Sequence, residues 1–322
     1  MKTGRILVVR LGAMGDILHT LPAAASLRRS FPEAVLCWAA APRWRDLLEG
    51  NPVVDELIEI DRRSPGGWVR GWRALRRERF DLAVDFQGLW QSALVGALAR
   101  ASRLIGYERA QAREGGAAML YTETVHAVSS HVVDRNLELA AAAGAPRRVH
   151  EFPLPPGRPE GALPAGPFVL ASPLAGWVSK QWPLEYYQEV AAGLRQRFGL
   201  PLVVNGPPGS ERQLRSITGA EIHLSSVAGL IDATRRAAAV LGVDSGPLHL
   251  AAALGKPGAA IYGPTDPARN GPYGGSIAVL RDPAAATSYA REKEIAPSMR
   301  AVTPAQVEEA LRQALAAAGV AR

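Results

Sequence analysis

Cysteine occurs once in these 322 residues, so no disulfide can form within the chain and a disulfide-stapled secreted scaffold is excluded. The lone thiol, Cys37, lies in the apolar run AVLCWAA and is expected in the core of a protein from a reducing compartment. Long hydrophobic runs are missing too, for no segment approaches the roughly 20 apolar residues of a membrane span. Near the N-terminus RILVVR passes straight into a glycine-rich turn, too short for a signal peptide. These absences predict a cytoplasmic protein. No short repeat or low-complexity tract occurs, and no helix-turn-helix, zinc-finger or RNP-like motif accompanies the net charge of +7, so nucleic acid is not an expected partner. Metal-ligand spacing is also lacking. His126 and His131 stand in a weakly patterned region without nearby cysteines and are expected on the surface or in the core.

What is present suits a two-domain α/β enzyme: 322 residues with 48% hydrophobic side chains exceed one ordinary core. In the first half RILVVR, AVLCWAA, ELIEI, LAVDF and RLIGY read as strands, separated by helical patterns such as LPAAASLRRS and QSALVGALARAS. A proline- and glycine-dense stretch, residues 151–167, then reads as an interdomain linker. The alternation resumes with FVLASP, PLVVNG, EIHLSS, AVLGVD and GAAIYG, with LEYYQEVAAGLRQRFG as the clearest helix between them. Thr303 and Gln306 form a capping-box pattern opening a last helix. Two parallel sheets covered by helices are therefore expected, in domains 1–155 and 156–322. Positive charge is densest where Arg62, Arg63, Arg70, Arg73, Arg76, Arg77 and Arg79 are opposed only by Glu78 and interleaved with Trp68 and Trp72. That segment is either a basic amphipathic surface for acidic lipid or a solvated face.

The most informative stretch is DSGPLHLAAALGKPGAAIYGPTDP, from Asp244. AVLGV before it has the short apolar run of a buried strand, Asp244, Ser245 and Gly246 turn the chain, and Pro247 suits a first helical position. A helix beginning there leaves its first N–H groups without intrahelical partners and is positive at that end, which suits a diphosphate. An ordinary structural unit of an α/β protein has the same local pattern. The residues go further: they closely resemble the glycosyltransferase family 9 signature, D-[TS]-G-x-x-H-x-x-A-A-x-x-x-P followed by Y-G-P-T-D-P, found in the bacterial lipopolysaccharide heptosyltransferases. The resemblance implies the GT-B architecture, two Rossmann-like domains whose parallel sheets face across a cleft. The first domain would bind the acceptor and the second the nucleotide sugar, with the C-terminal helix a candidate to pack back on the first.

A second constellation, RLGAMGDILHTLP, follows the first strand. Gly12 and Gly15 permit a tight turn and Asp16 falls at a helix start, where capping alone would explain it. The family carries M-G-D-x-L-H-T-L-P here, and its aspartate is the proposed catalytic base, a role compatible with capping. Lys180 precedes a helix, where a solvent-facing lysine is the ordinary reading; K-x-W-P at this place resembles the family's donor site and implies a cation for the leaving group. Hydroxyl residues common a few positions earlier are replaced by Ala175 and Gly176, leaving Ser172, Ser179 or backbone N–H groups to substitute. Glu211 is the acid nearest the family's ribose-binding glutamate, or simply a helix start. His249 either faces the diphosphate or packs on the next strand.

LAVDFQGLWQSALV resembles the family's D-x-Q-G-L segment in the branch that adds the first heptose to Kdo residues of lipid A. Kdo carboxylates and lipid A phosphates suit guanidinium groups at Arg10, Arg62, Arg63 and Arg113. The family's C-terminal cysteine-bearing segment reads TSYAREKEIAPSMRAV here, without cysteine. The resemblance spans essentially the whole chain. It implies an inverting, metal-independent glycosyltransferase without a cofactor, moving heptose from ADP-heptose to Kdo-lipid A at the cytoplasmic face of the inner membrane, with only peripheral membrane contact. Another nucleotide sugar, a later core acceptor, or a non-catalytic nucleotide-sugar-binding protein are the alternatives; the last is disfavoured by the presence of both Asp16 and Lys180.

Overall fold

The computed structural model describes residues 4–320. The chain divides between Pro155 and Pro156 into two compact units. Each is built on a six-stranded sheet, parallel throughout.

The first unit contains β1 (Arg5–Val9), β2 (Val35–Ala40), β3 (Glu56–Glu59), β4 (Leu82–Asp85), β5 (Arg103–Tyr107) and β6 (Glu123–Val125). Their order is β3-β2-β1-β4-β5-β6. From β1 the chain steps outward to one edge, then returns to the other side of β1 with β4, which makes the β1/β4 boundary the topological switch point. Register sets Val9 opposite Asp85, so the carboxyl ends of these two strands are level. Helices cover both faces of the centre, which is why Ile6, Leu7, Val8 and Val9 are all fully buried.

The second unit repeats the plan with β7 (Val169–Ser172), β8 (Leu202–Gly206), β9 (Glu221–Leu224), β10 (Ala239–Val243), β11 (Gly258–Tyr262) and β12 (Ile277–Arg281). In the order β12-β11-β10-β7-β8-β9 the switch point falls between β7 and β10. Gly242 lies opposite Ser172, so these ends are level as well. The Pro304–Ala317 helix, capped by Thr303 and Gln306, packs on the Leu184–Phe198 helix and on β10 and β11 of its own unit.

Three elements escape a reading of pattern alone. β6 is only three residues long and mostly exposed, and β12 is an edge strand with an exposed Val279. The Val132–Ala142 helix turns Asn136 inward, where it donates to the His19 carbonyl at 2.9 Å and accepts from Tyr107 at 2.8 Å. A buried polar residue at that position interrupts the apolar period by which a helix is recognised. Residues 151–167 carry neither helix nor strand, yet they are not a loose tether. Glu160 takes hydrogen bonds from Ser226 N at 2.7 Å and Ser226 Oγ at 2.8 Å, ahead of the Val227–Arg236 helix.

The arginine-rich segment is a helix, Pro65–Arg77, whose Ser64 cap accepts from Gly67 N at 3.0 Å. Gly67, Gly71 and Leu75 face inward. Any Cβ at Gly67 would stand 2.5 Å from the Asp61 carbonyl, so two poor helix formers are retained because the helix lies directly on the backbone beneath it. Val69 and Trp72 are left 41% exposed among the arginines. Among the described residues no helix is long and apolar enough to cross a membrane.

Candidate active site

In the first unit, β1 runs into a turn at Gly12, whose φ of +146° favours glycine; a Cβ there would stand 2.5 Å from the Trp44 indole nitrogen. Gly15 is not part of this turn. It lies within the Met14–Leu18 helix, whose third residue is Asp16. The Asp16 carboxylate accepts from Ala13 N at 3.2 Å, which is the reciprocal half of a capping box. It also pairs with Arg10 at 2.8 Å and Arg113 at 3.2 Å. Arg10 is 4% exposed and Arg113 50%. Burial works against the Asp16 charge, but the two guanidinium groups outweigh it and hold the carboxyl below its ordinary range. The group is therefore ionised at neutral pH.

The D-x-Q-G segment at the end of β4 builds the frame for this cluster. Asp85, fully buried, accepts from Gln87 N at 2.8 Å, Gly88 N at 3.3 Å, Ser92 Oγ at 2.8 Å and Tyr121 OH at 2.7 Å. Burial pushes its pKa up despite these donors. The loop so fixed presents the Phe86 carbonyl to Arg10 and the Gln87 side chain to Leu11 N, at 2.8 Å for the latter. Gly88, at φ +69°, lets the segment before Arg113 approach, and a Cβ there would be 3.1 Å from Arg113 N. Expected on the acceptor side, this motif supports both arginines that hold Asp16. Arg10 is buried and paired inside the cluster, whereas Arg62 and Arg63 stand on the exposed turn after edge strand β3. Neither of these touches Asp16, Arg10 or Arg113 in any described contact.

In the second unit the corresponding switch point carries Lys180 after β7 and Asp244 after β10. Lys180 Nζ is 2.5 Å from Asp244 Oδ2, and Asp244 is 5% exposed. The same carboxylate accepts from Thr265 Oγ1 at 2.7 Å and Asn270 Nδ2 at 3.2 Å, with His249 Nε2 at 3.4 Å. Burial disfavours its charge, yet His249 and Lys180 hold its pKa well below the usual carboxylate range. His249 thus turns back to Asp244. Ser245 is the N-cap of the Gly246–Ala253 helix, but its Oγ makes no capping bond and has no partner among the described residues. The helix start retains its donors for an anion.

Other positions are less convergent. Glu211 begins the short Glu211–Leu214 helix and pairs with Arg215 at 2.5 Å, half exposed and apart from the Asp244 cluster. Ser172 and Ser179 are buried, and Ser179 Oγ has no hydrogen-bond partner among the described residues. Thr265 lies in the Y-G-P-T-D-P turn of the signature, whereas Asn270 carries no local signal; the sheet order brings the loop of both beside Asp244. Among the described residues no group of three or more His, Cys, Asp or Glu side chains is arranged to hold a metal.

The profile of glycosyltransferase family 9 (heptosyltransferase) matches residues 68–298. Lipopolysaccharide heptosyltransferase 1 of Pseudomonas aeruginosa is 30% identical over 291 residues, covering 84% of this chain and 82% of that protein. The solved structure of Escherichia coli heptosyltransferase WaaC with ADP-2-deoxy-2-fluoro heptose superposes with a TM-score of 0.77 at 25% identity, covering 96% of this chain and 99% of that one. Escherichia coli ADP-heptose lps heptosyltransferase II gives 0.80 at 22% identity over 98% and 99%, a likeness of fold. Two Rossmann-like units carrying charged clusters at their switch points, matched by a family profile over most of the chain, identify it as a GT-B enzyme belonging to glycosyltransferase family 9.

Proposed function

We propose that this enzyme transfers heptose from ADP-L-glycero-D-manno-heptose to the Kdo-lipid A inner core of lipopolysaccharide, in one inverting displacement at the cytoplasmic face of the inner membrane. The observation that carries the reading is the pair of switch-point clusters: an ionised carboxylate held by arginines, and a lysine–aspartate pair beside a helix N-terminus. Donor and acceptor are supported by the relatives' names, lipopolysaccharide heptosyltransferase 1 and a WaaC structure with an ADP-heptose analogue.

In the displacement the acceptor hydroxyl oxygen bonds to the anomeric carbon and its proton passes to Asp16. The bond from that carbon to the diphosphate breaks, and its electron pair leaves on the phosphate oxygen. A single positioned carboxylate suffices, because the diphosphate is a good leaving group whose growing charge is met by Lys180 and the helix start at Ser245 and Gly246. Asp244 fixes Lys180, with His249 pairing to the other oxygen of the same carboxylate, and Glu211 is assigned to the ribose. The scheme requires no metal or cofactor. Mixing the protein with ADP-, UDP- and GDP-linked sugars and Kdo-lipid A tests the assignment: only the ADP-heptose mixture is expected to add one heptose mass to the lipid, and transfer from another donor alone would overturn it.

Arg113 contributes, after Arg10, to holding the pKa of the base down. Removing it in Arg113→Ala relieves part of the depression of the Asp16 pKa, so the carboxylate protonates at a higher pH. The acid limb of kcat/KM is expected to move upward in pH, with Arg113→Lys restoring most of the wild-type profile. A limb unmoved in both variants would separate Arg113 from the base.

Arg62, Arg63 and the outer face of the Pro65–Arg77 helix are assigned to the acidic acceptor and its lipid surroundings, giving peripheral membrane contact. Replacing Arg73, Arg76 and Arg77 together by Ala is expected to raise KM for Kdo-lipid A about tenfold at low salt while leaving the donor KM unchanged. The difference shrinks as salt screens exposed charge. Equal losses for donor and acceptor would make this a solvated face.

A further inference from the structure

Between β12 and the Pro297–Arg300 helix the chain has neither helix nor strand, yet it is fastened along its length. Arg281 donates to the Ala285 carbonyl and Thr287 Oγ1, each at 3.1 Å, and to the Gly263 carbonyl at 3.2 Å. Ser288 N donates to the Pro264 carbonyl at 2.6 Å, and Ala296 N to the Ser179 carbonyl at 3.3 Å. Between these bonds the Arg269 guanidinium lies 5.2 Å from the Tyr289 ring centroid, and that of Arg291 lies 5.1 Å from Trp177. The attachment points are the loops after β7 and β11, which also supply Lys180, Thr265 and Asn270 to Asp244.

Trp177 is the shared element. Lys180 Nζ lies 4.3 Å from the centroid of the same indole. We propose that this fastened segment delivers Arg291 to the donor diphosphate as a second cation, with Trp177 seating both Arg291 and Lys180. The inference rests on the reading of the second unit as a nucleotide-sugar site. Charge counting favours it: Asp244 offsets part of the Lys180 charge, and a helix N-terminus contributes only about half a positive charge. Ala175 and Gly176, in the same loop as Lys180, carry no polar side chain, so neither can add a side-chain donor for a diphosphate. Stacking engages the flat face of a guanidinium and leaves its rim of N–H donors for bidentate contact with phosphate oxygens.

Calorimetric titration of ADP, AMP and adenosine into wild type, Arg291→Ala, Arg291→Lys and Trp177→Leu tests this at one fixed ionic strength. Arg291→Ala is expected to weaken ADP about tenfold, AMP by less than about threefold and adenosine not at all, with Arg291→Lys intermediate. Trp177→Leu should weaken ADP at least as much, and adding Arg291→Ala to it should cost little more. Wild-type ADP affinity in Arg291→Ala, or equal losses across all three ligands, would overturn the role of Arg291 while leaving the donor reading intact. Wild-type protein that binds no nucleoside diphosphate would overturn both.

Discussion

Asp16→Asn is expected to lower the transfer rate by about 10²-fold or more at nearly unchanged donor affinity, the size of effect that follows loss of a positioned general base. Asparagine keeps an oxygen for Ala13 N and nearly the same volume, so the turn and helix start remain. What it loses is the proton acceptor and the charge opposite Arg10, which is 4% exposed. That guanidinium retains the Phe86 carbonyl, and the stability cost should be about 3 kcal/mol, the low end for breaking a buried pair. Melting curves therefore accompany the kinetics. A rate close to wild type would return Asp16 to a purely structural role.

The second large effect is expected from Asp244→Asn. Asp244 gathers Lys180, Thr265, Asn270 and His249 around one buried carboxylate, so neutralising it leaves Lys180 without its charged partner. A loss of about 3 kcal/mol or more is expected, read as a melting transition lower by on the order of 10 °C. ADP affinity should fall about tenfold as Lys180 loses its fixed position. The pH dependence has a definite sign. A carboxylate held below its ordinary pKa stabilises the fold fully above the ordinary value and loses that contribution as pH falls through the folded value. Wild type should lose stability in this acidic window, and Asp244→Asn should lack that part of the slope. An unchanged acid profile and ADP affinity would remove Asp244 from the centre of the site.

Much of this site is legible in the chain because its loops follow central strands. AVLGV and residues 6–9, ILVV, are buried on both faces, read as unbroken apolar runs, and point to the small-residue turns beyond them. Motif resemblance then singles out Asp16, Lys180 and Asp244. Partners are less legible because they depend on the order of strands. Thr265 reaches Asp244 only because β11 lies beside β10, and Asp85 supports Arg10 only because β4 lies beside β1. Arg10 closes an apolar run and reads as a group for an acidic ligand; its contacts to Asp16 and the Phe86 carbonyl depend on residues outside that run and are not visible in the run itself. The short edge strand β6 and the inward Asn136 break the patterns from which elements are read, since their stability comes from neighbours distant in sequence.

The stereochemistry of the product tests the central claim most directly. Nuclear magnetic resonance of the heptosyl anomeric centre, after a single turnover of ADP-heptose with Kdo-lipid A, should show one new glycosidic bond of configuration opposite to that of the donor, and almost none in Asp16→Asn over the same interval. Retained configuration, or equal product from the variant, would contradict a single displacement with Asp16 as its base.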